Sequence, residues 1–225
     1  DTILDRTVIA GYTNVGYLLR SRGWDDDALR SMSGESVLVT GATSGLGLAA
    51  AEGFARLGAD VVLVARDAQR GERARAQVAE HCDGGAARLE LCDLAKLASV
   101  RDLARRLDAR GDRLDVLGHN AGVLTEERTV TEDGIEMTFA VNVVAPFLLT
   151  RLLTERLAAG APSRIITVSS GGMYTQRLHT DDLQNAHGEF SGTTAYARTK
   201  RAQVILTELW AQRLADRGIV AHAMH

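Results

Sequence analysis

The chain has 225 residues, of which 45% are hydrophobic and 24% charged, and that length and balance suffice for one large domain with a buried core. Its formal net charge is −3 and its arginines are scattered rather than bunched, which leaves no electrostatic footprint for DNA or RNA. Cys82 and Cys92 lack metal-ligand spacing and have no histidine cluster beside them, so no metal site is expected and both read as reduced thiols in a cytoplasmic setting.

No apolar run is read as reaching the roughly eighteen residues of a bilayer span, and the amino terminus lacks the charged-then-apolar form of a signal peptide. The chain opens at Asp1 without a methionine, so residues upstream are expected. Residues 1–33 form an accessory segment before the first strand. Val8, Tyr12, Val15 and Leu19 fall on one side of a helix, followed by Arg20 and Arg22, a pattern that predicts packing on the domain. Weak contact with a membrane surface is the alternative, opposed by the short apolar face and by Gly11 and Gly16.

Residues 34–225 read as one dinucleotide-binding domain. Residues 36–40 predict a buried strand, 45–57 a helix and 60–65 a second apolar strand, which together make a βαβ unit. A helix over 67–81, a strand at 88–91, a helix over 97–110 and a strand at 114–119 follow. One long helix is predicted over 134–157, then a strand at 164–169, an irregular stretch, a helix over 194–215 and a strand at 219–224. Six strands alternating with helices predict the α/β class, as a doubly wound parallel sheet of Rossmann type.

Between the first strand and the first helix stands Thr40-Gly41-Ala42-Thr43-Ser44-Gly45-Leu46-Gly47. Small residues there let the backbone turn tightly and approach a pyrophosphate at the helix N-terminus, and the strand-to-helix context points to a dinucleotide site. A purely structural turn is the plainer alternative. Further on, Tyr196-Ala197-Arg198-Thr199-Lys200 sets a phenol and an ammonium four residues apart on one helix face, where the cation favours the ionised phenol and makes it usable as acid and base. Only two of the 26 basic residues are lysines, Lys96 and Lys200, and a compact ammonium suits this task where a guanidinium is too strongly basic. The same spacing also arises on exposed helices with no function. Asn142 precedes Pro146 by four residues. Proline has no N–H, so the Asn142 carbonyl loses its helical donor and is open to water or a lysine; a simple kink is the other reading. Thr167-Val168-Ser169-Ser170 ends the fifth strand at the carboxyl edge, where open α/β sheets bind ligands, although serines there also serve turns.

From Glu35 onward these motifs resemble the short-chain dehydrogenase/reductase family. The resemblance lies in the TGxxxGxG spacing, in Cys92-Asp93-Leu94, and in His119-Asn120-Ala121-Gly122, which is similar to the family's NNAG with histidine in first place. The interval of 26 residues from Ser170 to Tyr196, with Ser170-Gly171-Gly172-Met173-Tyr174 and Asp182-Leu183-Gln184, is similar to the retinol-dehydrogenase-like branch and, within it, to the group called dehydrogenase/reductase member 12. The resemblance implies a catalytic set of Asn142, Ser170, Tyr196 and Lys200. In that set Tyr196 exchanges a proton with the reacting oxygen and Ser170 orients the substrate. Lys200 supports the phenol and holds the cofactor ribose, and Asn142 binds a water linking Lys200 to solvent. Cofactor contacts are implied at Gly41, Thr43, Ser44, Gly45, Leu46, Gly47, Asp93, Leu94, Asn120, Ala121 and Gly122, with Tyr196 and Lys200 themselves. Asp93 also suits a cap for the next helix.

The second strand ends in Val64-Ala65-Arg66. NAD-preferring sites carry an acidic residue there for the ribose 2′-hydroxyl. Ala65 cannot serve, whereas Arg66 offers a planar fork of donors with Arg70 one turn on, so NADP(H) is favoured over NAD(H). The plainer alternative is a solvated Arg66, with Asp67 pairing to it or capping the next helix. The expected function is an NADP(H)-dependent oxidoreductase that interconverts a carbonyl and an alcohol on a small-molecule substrate. Met173 and Leu178, in a long loop expected to line the substrate mouth, suggest a lipophilic one. Pairing into a homodimer through the two long helices is implied by the resemblance. The alternative is a dinucleotide-binding sensor or scaffold that turns nothing over, favoured by the lack of any counterpart, before His225, to the family's Pro-Gly turn, substrate-covering segment and last strand; the expectation is that the domain is cut short there. A methyltransferase shares the alternating fold but has no need of Tyr196 and Lys200 together.

Overall fold

In the computed structural model, which describes residues 29–225, the apolar runs become six strands: β1 (Ser36–Thr40), β2 (Asp60–Ala65), β3 (Ala87–Leu91), β4 (Val116–His119), β5 (Ser163–Val168) and β6 (Ile219–Met224). All pair in parallel, in the order β3-β2-β1-β4-β5-β6. Helices α1 (Gly45–Arg56), α2 (Ala68–Ala79), α3 (Leu97–Arg110), α4 (Ala145–Ala159) and α5 (Gly192–Leu214) make the crossovers. This is the doubly wound α/β sheet that the alternation predicts. The chain divides into two units, Asp1–Ser31 and Met32–His225. The helix and the membrane contact expected of the leading segment lie outside the described residues.

Strand periodicity decides which helix meets which face. Val37 and Val39 of β1 point to one side and, with Val61 and Leu63, pack on Ala51 and Ala55 of α1 and Ala74 and Val78 of α2. Leu38 points to the other side, where Leu117 and Ile165 meet Val100 and Leu103 of α3 and the stripe Ala145, Leu149, Leu153 and Leu157 of α4. Those three leucines are fully buried, and each such side chain stabilises the fold by roughly 1.5–3 kcal/mol on area grounds. Because both faces are covered, β1 is buried at every position, as expected for a central parallel strand.

Two sequence expectations need correction here. The stretch Met137–Ala159 contains an 18-residue window of mean hydropathy 1.5, long and apolar enough by composition to cross a membrane, where the sequence reading finds no such run. Half of that window is buried inside the domain, so its apolarity is that of a core helix on the sheet. Nor is it one regular helix from residue 134. Gly134 sits at φ +76 in a turn, the fully buried Glu136 caps the start by accepting from Thr138 N and Phe139 N, and a single α-turn at Met137–Phe139 passes into a π-helical segment, Ala140–Val144, before α4 begins. Pro146 stands in the first turn of α4, where its missing N–H is tolerated. The strand order reverses between β1 and β4, which opens a crevice at the carboxyl ends of these strands.

Candidate active site

A cleft of about 640 Å³ occupies that crevice. Gly41, Thr43 and Ser44 line it from the glycine turn, Asp93 and Leu94 from the end of β3, and Asn120, Ala121 and Gly122 from the end of β4. Arg66 and Arg70 line its far end beside Ala65. Of the residues predicted to touch a cofactor, Gly45, Leu46, Gly47, Tyr196 and Lys200 are not part of its wall. Leu46 is 73% exposed. Gly47 is buried, and a Cβ there would overlap Asn120 Nδ2 and the Gly41 carbonyl, so its lack of a side chain serves the seating of α1 against the β4 end. Gly41 turns at φ +67 with a Cβ position only 2.8 Å from Ala121 Cα, which excludes any side chain on both counts.

Asn120 laces this region together. Its Nδ2 donates to the carbonyls of Thr40 and Gly41, each at 3.2 Å. Thr40 Oγ1 in turn accepts from the Asn120 and Ala121 amides at 3.1 and 3.2 Å. Thr40 is a site-building residue that the motif reading passed over as the first letter of the glycine turn. Asp93 does not cap α3. Its Oδ1 accepts from Ala95 N at 3.1 Å, a local turn, while the α3 amide at Leu97 donates to Asp133 Oδ2, 36 residues away. Lys96, the chain's other lysine, lies on the cleft wall and pairs with Glu132 across it at 2.9 Å. Asp67 caps α2 through Arg70 N at 2.7 Å, and Arg66 is exposed at the rim.

Of the catalytic set expected from the sequence, Tyr196 and Lys200 lie on α5, Asn142 in the π-helical segment and Ser170 just past β5. Lys200 is 2% exposed, and burial holds its ammonium down at about 8. Its Nζ donates to the Val168 carbonyl at 2.8 Å and lies 5.4 Å from the centroid of the Tyr196 ring. Two residues past Val168, Ser170 starts a short 3₁₀ turn, with Oγ accepting from Gly172 N at 3.3 Å. Asn142, fully buried in the π-helical segment, accepts at Oδ1 from Val123 N at 2.8 Å and donates from Nδ2 to Val123 O and to Thr199 Oγ1, both at 3.0 Å. Thr199 Oγ1 donates to the Tyr196 carbonyl at 2.7 Å. The Asn142 carbonyl does accept a bond, as its missing helical donor implies, but from Gln203 Nε2 at 2.7 Å; Lys200 goes to Val168 instead. The two halves of the site meet at Gly122, where a Cβ would stand 3.5 Å from Lys200 Nζ and 3.6 Å from Asn142 Oδ1.

Residues 35–225 match the family model described as short chain dehydrogenase. The chain belongs to the short-chain dehydrogenase family. It is 40% identical over 202 residues to dehydrogenase/reductase SDR family member 12 of Bos taurus, covering 89% of this chain and 63% of that protein. It is 39% identical over 216 residues to retinol dehydrogenase 14 of Mus musculus, covering 92% and 64%. The chain thus spans somewhat under two thirds of these curated relatives. Among solved structures, an active-site complex of Pseudomonas aeruginosa RhlG with NADP superposes with TM-score 0.71 at 28% identity, over 86% of this chain and 72% of that one. A metagenomic short-chain oxidoreductase in complex with NADP superposes with TM-score 0.69 at 29% identity, over 85% and 81%.

Proposed function

We propose that the protein is an NADP(H)-dependent oxidoreductase interconverting a carbonyl and an alcohol, on a lipophilic small molecule. The observation that carries this reading is the position of Lys200, whose ammonium lies beside both the Tyr196 ring and Gly122, so that an acid–base pair adjoins the wall of the nucleotide-sized cleft. A dinucleotide fits the residues present. The glycine turn has no room for side chains at Gly41 and Gly47, and the cleft holds Thr43 and Ser44 at one point and the cationic Arg66 and Arg70 at another.

The chemistry supplied by a bound nicotinamide is hydride transfer. The rest falls to the chain. Tyr196 gives its phenolic proton to the carbonyl oxygen, or takes one from the alcohol, with the Lys200 charge beside it. Ser170, at the end of β5, supplies a hydroxyl to hold the reacting oxygen. Asn142 ties Val123 on the cleft wall to the helix that carries Tyr196. Arg66, with no acidic residue before it at Ala65, is the expected partner of a 2′-phosphate, and Arg70 supports it; both solved relatives named above hold NADP. Pairing of two copies through α4 and α5 belongs to the same reading, supported by Phe147, 44% exposed and stacked on Trp210 at 5.4 Å, and sedimentation at two concentrations tests it.

NADPH oxidation by the full-length protein across a panel of apolar aldehydes and ketones tests the activity. Turnover is expected with NADPH in preference to NADH. Tight NADPH binding with no turnover on any member would show a cofactor-binding protein of another kind.

A further inference from the structure

The mechanism leaves one buried amide of the catalytic helix unused. Gln203 lies three residues past Lys200 on α5 and is 3% exposed. Its Nε2 meets the Asn142 carbonyl, while its Oε1 is buried with no partner among the described residues. Turning the amide over would press two oxygens together, so the donor end belongs at Asn142. A methionine of similar length would fill this space but would take the donor away from the Asn142 carbonyl. What the glutamine supplies is a donor for the one carbonyl that Pro146 cannot serve as the helical i+4 partner.

We infer that Gln203 is a positioning residue, holding the π-helical turn at Asn142 so that the Asn142 side chain bridges the cleft wall at Val123 and the catalytic helix at Thr199. With the carbonyl held by Gln203, both ends of the Asn142 amide are committed to Val123 and Thr199, and Thr199 passes the constraint to the Tyr196 backbone. Gln203 acts across 61 residues of chain and touches no reacting atom. Its consequence for turnover rests on the proposed roles of Tyr196 and Lys200; the holding of Asn142 does not.

The test is Gln203→Met in the full-length protein, read by amide hydrogen exchange and by steady-state kinetics. Exchange at Val123 and over residues 140–147 is expected to quicken at least ~10-fold as the turn opens locally. Turnover is expected to fall about 10–100-fold, the scale of a small misplacement of catalytic groups, with KM for NADPH held within about twofold. Unchanged exchange would overturn the positioning role. Faster exchange with unchanged turnover would overturn its catalytic consequence. If the parent protein reduces no carbonyl, that failure belongs to the proposed activity, and the exchange comparison still decides what Gln203 does. Should Gln203→Met not fold, Gln203→Glu keeps the size, and keeps a donor only while its carboxyl is protonated. Protection factors at Val123 that persist in acid and fall as that carboxyl ionises support the inference, and protection indifferent to pH overturns it.

Discussion

In the proposed reading the cleft has a nucleotide end and a catalytic end, and the two are held by different means. At the nucleotide end the backbone does the work: Gly41 turns at positive φ, Gly47 leaves no room for a side chain, and the carbonyls of Thr40 and Gly41 are tied to Asn120. At the catalytic end the constraints run through side chains that come from distant parts of the chain, Asn142 to Val123 and Thr199, and Gln203 to Asn142. The first arrangement is built on a turn of eight consecutive residues, readable as a unit, and one side chain from 80 residues on, Asn120, clamps it. The second is assembled by packing, so each of its parts is individually replaceable and its failure should appear in turnover rather than in cofactor affinity.

The sharpest way to break this contrast is Tyr196→Phe. Turnover should fall by at least ~100-fold, the usual scale for removing a positioned acid–base group, while NADPH affinity measured by fluorescence titration stays nearly unchanged. Near-normal turnover would remove Tyr196 from the chemistry. At the other end, Arg66→Ala should weaken NADPH by ~1.5–3 kcal/mol, the range of a charge-assisted hydrogen bond, and leave NADH almost untouched; equal loss for both cofactors would deny Arg66 its selective role.

Smaller effects sharpen the comparison. Gly47→Ala adds a methyl where Asn120 and Gly41 already touch, and overpacking of this kind should lower stability by about 1–3 kcal/mol in urea unfolding and loosen NADPH with it. A variant as stable as the parent would show that the turn can shift. Lys200→Met should do the reverse, stabilising the fold near pH 7 by ~1 kcal/mol, because removing a charge from a buried site is offset only in part by the lost bond to the Val168 carbonyl. The sign follows from a folded value of about 8 against the ordinary 10.5. Below pH 8 the proton is held in both states and burial of the charge opposes folding in full. Between pH 8 and 10.5 the folded chain releases it first, so the parent gains stability relative to Lys200→Met as pH rises. Urea midpoints at pH 7 and pH 10 measure this, and a constant gap between the two proteins would count against it.

Much of the sheet was legible because its signals are local. The bounds of β1, β2, α3 and β6 coincide with the expected 36–40, 60–65, 97–110 and 219–224, since each is a run of apolar or periodic residues bounded by turn formers. The glycine turn was legible for the same reason. The π-helical segment was not, because apolar periodicity from Gly134 to Leu157 looks continuous and a single extra residue per turn leaves no compositional trace. Pro146 was a partial signal: it announced an unserved carbonyl at Asn142 but could not say what would serve it, since Gln203 sits 61 residues further on. Asp133, which caps α3 from another loop, escaped for the same reason, and so did Lys96 as a wall of the cleft.

The arginines on either side of Lys200 have a consequence for how this protein can be re-engineered. Arg201 donates to the carbonyls of Met173 and Gln176 at 3.2 and 3.3 Å, and Arg198 to Asn185 Oδ1 at 2.6 Å. Asn185 is buried and is the sole non-glycine residue at positive φ among the described residues. The long connection after Ser170 is therefore fastened to the helix that follows it. A loop transplanted from a relative into this chain, or out of it, keeps these fastenings only when residues 198 and 201 travel with it and residue 128, which donates to the Gln184 and Asn185 carbonyls, is matched; the unit of exchange is the loop together with the first three turns of the helix that follows.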